Sequence, residues 1–421
     1  MAGRRVLICT YGTRGDVEPF VALALGLRAA GHTVLLATSD RFRAFVEGHG
    51  IAFHPMSDAS LAAIETPDGR AVIEGGAGPV ARVRAGIRLA RRSGAINAEL
   101  MRETWEAARA FGPDRIVFHM KTFGAPHVAE KLKVPAILAT LQPMIVPTNA
   151  FPPMGLPRLP GGNRLAYGLV RRSFSPFRKS VNRFRREVLD LPPVSRGREV
   201  LFPTGAGTIP VLHGYSPAVL ERPPDWPASA QITGYWRLDT VGDYAPPAEL
   251  AAFLRDGPAP VFVGFSSMTS VDPQALGHLV TGALRRAGQR GIVAKGWAGL
   301  DAGDGDDVLA ISPAPHGWLF PHMAAVVHHG GAGSTAEGFH AGVPSVICPF
   351  FGDQPGWARL SVALGVGVEP IPRRRLTEER LAAAIGQAVS DPVLRENARA
   401  LAARLGTEDG VAAAVAIITA A

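Results

Sequence analysis

Short, wholly apolar runs alternating with helix-patterned stretches limit what this chain can fold into more than any other feature. The runs at 6–10 and 33–38 are interleaved with helical patterns at 18–30 and 41–48, and further runs follow at 115–120 and 136–141. A run that is apolar at every position must be covered on both faces, which is the condition of strands in a parallel sheet sandwiched by helices. From 260 the same grammar restarts with VFVGFSS, a helical pattern at 274–286, then IVAK, VLAIS, AAVVHH, a helix over 335–340 and VPSVICPF. Between 143 and 227 it fails, in proline- and glycine-dense stretches such as FPPMGLPRLPGG and ERPPDWP. The fold class is therefore α/β with two doubly wound domains. The expected boundaries are 1–215, a linker at 216–235, a second domain at 236–390, and helices at 391–421 packing back toward the first domain. Asp391 and Pro392 separate the two helical patterns between 377 and 405, Asp as a cap and Pro as the opening residue.

Composition removes several classes. Of 421 residues, 47% are apolar and 19% charged, which excludes a disordered or fibrous chain. The net charge of +8 is concentrated in 158–198, where 11 basic residues face 2 acidic ones. A nucleic-acid binder spreads such charge over a docking surface and interleaves aromatics, so no nucleic-acid partner is expected. Within the basic segment Leu165, Leu169, Phe174, Phe177, Val181 and Phe184 are spaced to line one side of a helix or an irregular surface. That side reads either as an ordinary solvated amphipathic helix or as a surface for transient membrane contact. Cys9 and Cys348 lie singly in apolar runs, which leaves no disulfide framework or zinc site. The apolar run near the N-terminus is too short for a signal peptide, no run approaches the length of a membrane span, and a cytoplasmic location is the expectation.

In doubly wound domains ligands gather at the carboxyl ends of strands, so chemistry is sought in strand-to-helix loops. HHGGAGSTAEGF runs from the apolar run at 324–327 through His328 and His329 into Gly330, Gly331 and Gly333, then a helix expected to open at Ser334. Glycines let the backbone approach an anion, free helix N–H groups point at it, and a neutral His329 can donate to it. Two other readings share these residues. Ser334 and Glu337 spell a capping box that needs no ligand. Gly331, Gly333 and Ala336 match G-x-G-x-x-A, with Asp353 20 residues beyond Gly333, the fingerprint of a nicotinamide-dependent oxidoreductase. Near the start, YGTRGDVEP places Asp16 before the first helix, either as its cap or as a general base for a bound hydroxyl. GFSSMTS brings Ser266, Ser267 and Thr269 to a strand end, where they serve phosphate or a turn, and FGDQPGWA brings Asp353 and Gln354, groups suited to sugar hydroxyls. The D-x-D near Asp304 reads as a solvated turn, so no metal site is expected.

Taken together, GTRGDVEP, APHGWLFP, HHGGAGSTAEG and PFFGDQPGWA, in this order, resemble the nucleotide-sugar-dependent glycosyltransferases of the two-Rossmann-domain (GT-B) type, especially the sterol glucosyltransferase and antibiotic glycosyltransferase branch. The resemblance spans nearly the whole chain and implies two domains facing each other across a cleft. It implies that Asp16 takes the acceptor hydroxyl's proton, and that Ser266, Ser267, His316, Trp318, His329, Gly331, Gly333, Ser334 and Glu337 form the nucleotide diphosphate site, Glu337 at the position that holds the ribose. Asp353 and Gln354 match the pair that holds the donor sugar. The implied reaction is inverting and metal-independent, uses no cofactor, and moves a hexose from UDP-glucose or another UDP- or dTDP-hexose to a hydrophobic acceptor such as a sterol or polyketide. It weakens the oxidoreductase reading and leaves a noncatalytic relative of the same fold as a further alternative. Three positions depart from plant members of the family. Pro313 stands where they stack a tryptophan on the base, with Trp318 or Trp297 as substitutes; Ala332 and Gly333 stand in place of Trp-Asn; and Asp16 stands where many relatives use His.

Overall fold

The computed structural model of the chain describes residues 3–66, 79–160, 162–205, 208–238, 244–265, 273–294 and 307–420. It divides into two compact units. The first comprises 1–153, 157–238 and 409–421, and the second 154–156 and 239–408.

Seven parallel strands form the first sheet: β1 (Arg5–Cys9), β2 (Thr33–Ser39), β3 (Ala52–Met56), β4 (Arg115–His119), β5 (Ala136–Thr140), β6 (Val211–His213) and β7 (Ala230–Ile232), in the order β3-β2-β1-β4-β5-β6-β7. Register pairs Val6 with Val34 on one side of β1 and with Arg115 on the other. Successive strands are added outward from β1 toward β3, after which the chain returns to β1's other side at β4. The gap between β1 and β4 is therefore the switch point, where the loops leaving the strand ends diverge and leave room for a ligand. Residues 216–235, expected as a linker, instead supply β7, and Trp226 and Trp236 are buried beside it.

The first helix, Arg14–Ala29, begins four residues earlier than its apolar pattern suggested, because Thr13 is its N-cap and Asp16, expected before the helix, is its third residue. It packs on the last one, Gly410–Ala420, where a Cβ on Gly26 would lie 2.2 Å from Val411 Cγ1. The missing side chain lets the two helices meet closely. The buried Arg115 guanidinium donates to the Ile418 carbonyl at the far end of that last helix (3.1 Å).

The basic segment folds as helices Asn163–Arg172 and Arg178–Glu187. Val181 and Phe184 are buried as expected, but Leu165 and Leu169 face solvent because the first of these helices buries Ala166 and Tyr167 instead. Its arginines are largely fasteners. Arg185 is buried and donates to Glu130 Oε2 at 2.6 Å and to the Pro192 carbonyl at 2.6 Å, Arg171 pairs with Glu199 at 2.6 Å, and Arg178 holds the Val194 carbonyl at 3.1 Å. No helix among the described residues is long and apolar enough to cross a membrane.

The second sheet contains β8 (Val261–Gly264), β9 (Gly291–Ala294), β10 (Val308–Ile311), β11 (Ala325–His328) and β12 (Ser345–Ile347), all parallel, in the order β10-β9-β8-β11-β12. Alternate side chains feed separate cores on its two faces. Val261, Val263, Val293 and Val327 join one cluster, while Phe262, Ile292 and Val326 join the other. The two covered faces explain the unbroken apolar runs. Here the switch point lies between β8 and β11. Helices Glu378–Ser390 and Pro392–Leu405 complete this unit, with Asp391 Oδ1 accepting the Val393 N–H at 2.9 Å.

Candidate active site

Each unit presents functional groups at its own switch point. In the first, Asp16 is the third residue of the first helix, directly after β1, and its side chain is 15% exposed. Its Oδ2 accepts the Thr13 N–H at 2.8 Å and the Thr13 hydroxyl at 3.2 Å, so Asp16 does cap the helix. Its Oδ1 accepts from Lys121 Nζ at 2.8 Å. Lys121 lies just beyond β4, the strand on the other side of the switch point, and sequence reasoning missed it. Burial acts to raise the Asp16 carboxyl, but the Lys121 ammonium and these hydrogen bonds outweigh it and hold the group below its ordinary value. His119, at the end of β4, is buried, and desolvation pushes its pKa down to about 4, leaving a neutral imidazole at neutral pH.

In the second unit the strand β11 ends at His328 and the helix Ala332–Ala341 follows with Gly331 as its N-cap. The expected start at Ser334 is corrected by this geometry. Ser334 is already the third helical residue, so Ser334 and Glu337 cannot form a capping box; glycine backbone alone makes the entry. Gly330 has φ 87°, and a Cβ on it would lie 2.6 Å from Ile347 Cγ2. At Gly331 a Cβ would lie 2.5 Å from His329 Nε2, whereas at Gly333 it would meet nothing within 4 Å. The loop is thus closed beneath and open above the second helical residue. An α-helix has no internal acceptor for its first N–H groups, here those of Ala332, Gly333 and Ser334, so they and the helix dipole favour an anion over Gly333.

His328 and His329, beside this loop, are neutral at neutral pH because burial lowers both. The Gly330 N–H donates to His328 Nδ1 at 3.0 Å, which puts the His328 proton on Nε2. Burial, then the neighbouring His316, lowers His329 to about 4, so its half-buried ring carries no charge at neutral pH. His316 stacks on Phe320 at 4.3 Å between centroids, and the Trp318 ring packs against Tyr244 at 5.1 Å and His322 at 4.8 Å.

Asp353 and Gln354 sit at the start of the helix Gln354–Ala363, beyond β12. Gln354 is buried and its Oε1 accepts the N–H groups of Phe350 at 2.7 Å and Phe351 at 3.1 Å, which folds the loop back on itself. Asp353 Oδ2 accepts the Trp357 indole N–H at 2.8 Å. Both side chains are thus anchored at fixed positions on the loop. Ser266, Ser267, Thr269, Trp297 and Asp304 lie outside the described residues.

Residues 6–150 match the family model described as the glycosyltransferase family 28 N-terminal domain, and residues 304–416 the one described as erythromycin biosynthesis protein CIII-like, C-terminal domain. Two sterol 3-beta-glucosyltransferases of Arabidopsis thaliana are 36% and 35% identical to this chain over 98% of its length. The chain spans 64% of the first and 67% of the second. Among solved structures, the glycotransferase of kitacinnamycin matches with a TM-score of 0.69 at 20% identity, covering 100% of this chain and 99% of that one. The glycosyltransferase VinC, solved in complex with dTDP, matches with a TM-score of 0.67 at 18% identity, covering 99% of this chain and 98% of that one. Both structures share the two-domain fold.

Proposed function

Because the chain belongs to the GT-B nucleotide-sugar glycosyltransferases, in the branch that holds the sterol glucosyltransferases, we propose that it moves a hexose, taken to be glucose, from a nucleotide diphosphate sugar to the hydroxyl of a hydrophobic acceptor, taken to be a sterol. The observation that carries the reading is the glycine entry of the helix Ala332–Ala341, open above Gly333 and flanked by the neutral His329. That entry is built for a diphosphate. In the reaction Asp16 takes the acceptor's proton as its oxygen attacks the anomeric carbon, and the bond from that carbon to the diphosphate oxygen breaks with inversion. Helix N–H groups and His329 stabilise the charge that grows on the leaving group. We expect that they suffice without a divalent ion. Both cysteines are free and buried, in keeping with the cytoplasmic location we assign to the activity.

The oxidoreductase alternative is not favoured. A dinucleotide fingerprint follows the first strand of its sheet, whereas Gly331 to Ala336 follow β11, the fourth strand of the second sheet in chain order.

A thermal-shift panel of UDP, dTDP, UDP-glucose, dTDP-glucose and NADH, each with magnesium and with EDTA, tests the reading. One nucleotide diphosphate should stabilise the protein equally in both conditions, by about 2.7 kcal/mol at 100 times its dissociation constant. Glucose should then appear on a 3β-hydroxysterol by mass spectrometry. Stabilisation by NADH alone, or by no nucleotide, overturns it, and nucleotide binding without transfer to any acceptor would leave a noncatalytic relative.

A further inference from the structure

We infer that Lys121 is the positioning residue of Asp16, holding the base ionised and aimed before the acceptor arrives. The inference rests on Asp16 acting as the base. Three donors enclose this carboxylate: Lys121 Nζ on Oδ1 at 2.8 Å, and the Thr13 N–H and hydroxyl on Oδ2 at 2.8 and 3.2 Å. The arrangement depends on a glycine. Gly12 has φ 144°, and a Cβ there would lie 2.2 Å from Asp16 Oδ2 and 2.8 Å from Lys121 Nζ, so any side chain at 12 would part the pair. Lys121 comes from the other side of the switch point and is 47% exposed, so it reaches the carboxylate without being locked beneath it.

The other groups facing Asp16 act on it less than Lys121 does. From β4 comes His119, buried and neutral. On the first helix itself Arg14 and Glu18 pair with each other at 2.7 Å.

Lys121 takes no part in the proton transfer, since an ammonium has no lone pair with which to act as a base. The acceptor O–H breaks, its proton goes to Asp16, its oxygen bonds to the anomeric carbon, and the nucleotide diphosphate leaves with the electrons of the broken bond. A cation beside the newly neutral carboxyl then favours release of that proton to water, which restores the base for the next turnover. Without Lys121 the burial of Asp16 is opposed only by the Thr13 donors and His119, and the carboxyl should titrate higher than it does in the wild type.

The test compares wild type with K121M, K121R, G12A and D16N, using UDP-glucose and a 3β-hydroxysterol in detergent micelles, with stabilisation by UDP reporting on folding. Wild type and K121R should show kcat/KM level from about pH 7 to pH 5, whereas K121M and G12A should fall several-fold over that range as an acid limb enters it. The same displacement is read without any acceptor by NMR titration of the Asp16 carboxyl carbon, assigned by its loss in D16N, which should move to higher pH in K121M. A K121M profile and titration matching wild type overturn the positioning role. If D16N keeps full transfer, the base reading fails with it; if D16N is inactive and K121M matches wild type, only the role of Lys121 fails.

Discussion

A carboxylate meant to accept a proton gains reach from isolation and loses it to a neighbouring cation, yet Asp16 is held by one. The resolution lies in which property limits a buried base: orientation and ionisation are secured first, and basicity is given up for them. D16N keeps the size and hydrogen-bonding capacity of the side chain but removes the base, so transfer should fall by roughly 100-fold to 10,000-fold while stabilisation by UDP stays unchanged. H329A in the second unit should lower transfer and also weaken UDP, by roughly tenfold as expected for one lost hydrogen bond, measured by calorimetry. These two residues were legible in the sequence because each follows an apolar strand run within one loop. Lys121 was not, since 105 residues separate it from Asp16 and only the adjacency of β1 and β4 brings them together. The start of the helix at Ala332 was misplaced for a related reason. Sequence favours a polar cap, and Ser334 offers one, but a glycine backbone enters the helix without it.

At the level of helices and strands, the strand runs were readable because both faces of each sheet are covered, so burial leaves an unbroken apolar signature. Helix faces proved harder. Spacing grouped Leu165 and Leu169 with Val181 and Phe184, but the helix Asn163–Arg172 turns Tyr167 and Ala166 inward and leaves the leucines outside. One large aromatic and one small residue outweigh two leucines once a specific neighbour has to be fitted. The close contact between the first and last helices was equally hidden, being carried by the absent side chain of Gly26. G26V should lower stability by about 1–3 kcal/mol through overpacking, seen as a lower urea midpoint with unchanged slope. V411A combined with it should recover part of the loss, which a purely backbone effect would not allow.

Over the whole molecule, the buried imidazoles set how stability responds to acid. Burial pushes His119 down to about 4 and His127 and His213 to about 3. Unfolded, each binds a proton near the ordinary histidine value, so between about pH 6.5 and those lower values the unfolded state holds more protons than the folded one. Stability is therefore full above about pH 6.5 and drains as pH falls, each group adding a slope of up to about 1.4 kcal/mol per pH unit. Urea midpoints measured from pH 7.5 to 5 should decline steadily, and a flat series would show that these rings are charged in the folded protein. A different consequence comes from the last helix. Because Gly410–Ala420 belongs to the first unit, the second is in effect an insertion within it, interrupting a domain that already has all seven of its strands. During synthesis the second unit, nearly continuous in the chain, has its sheet and covering helices in hand while the first still lacks the helix that seals its first one. Vectorial translation would then finish the domain it began last before the domain it began first.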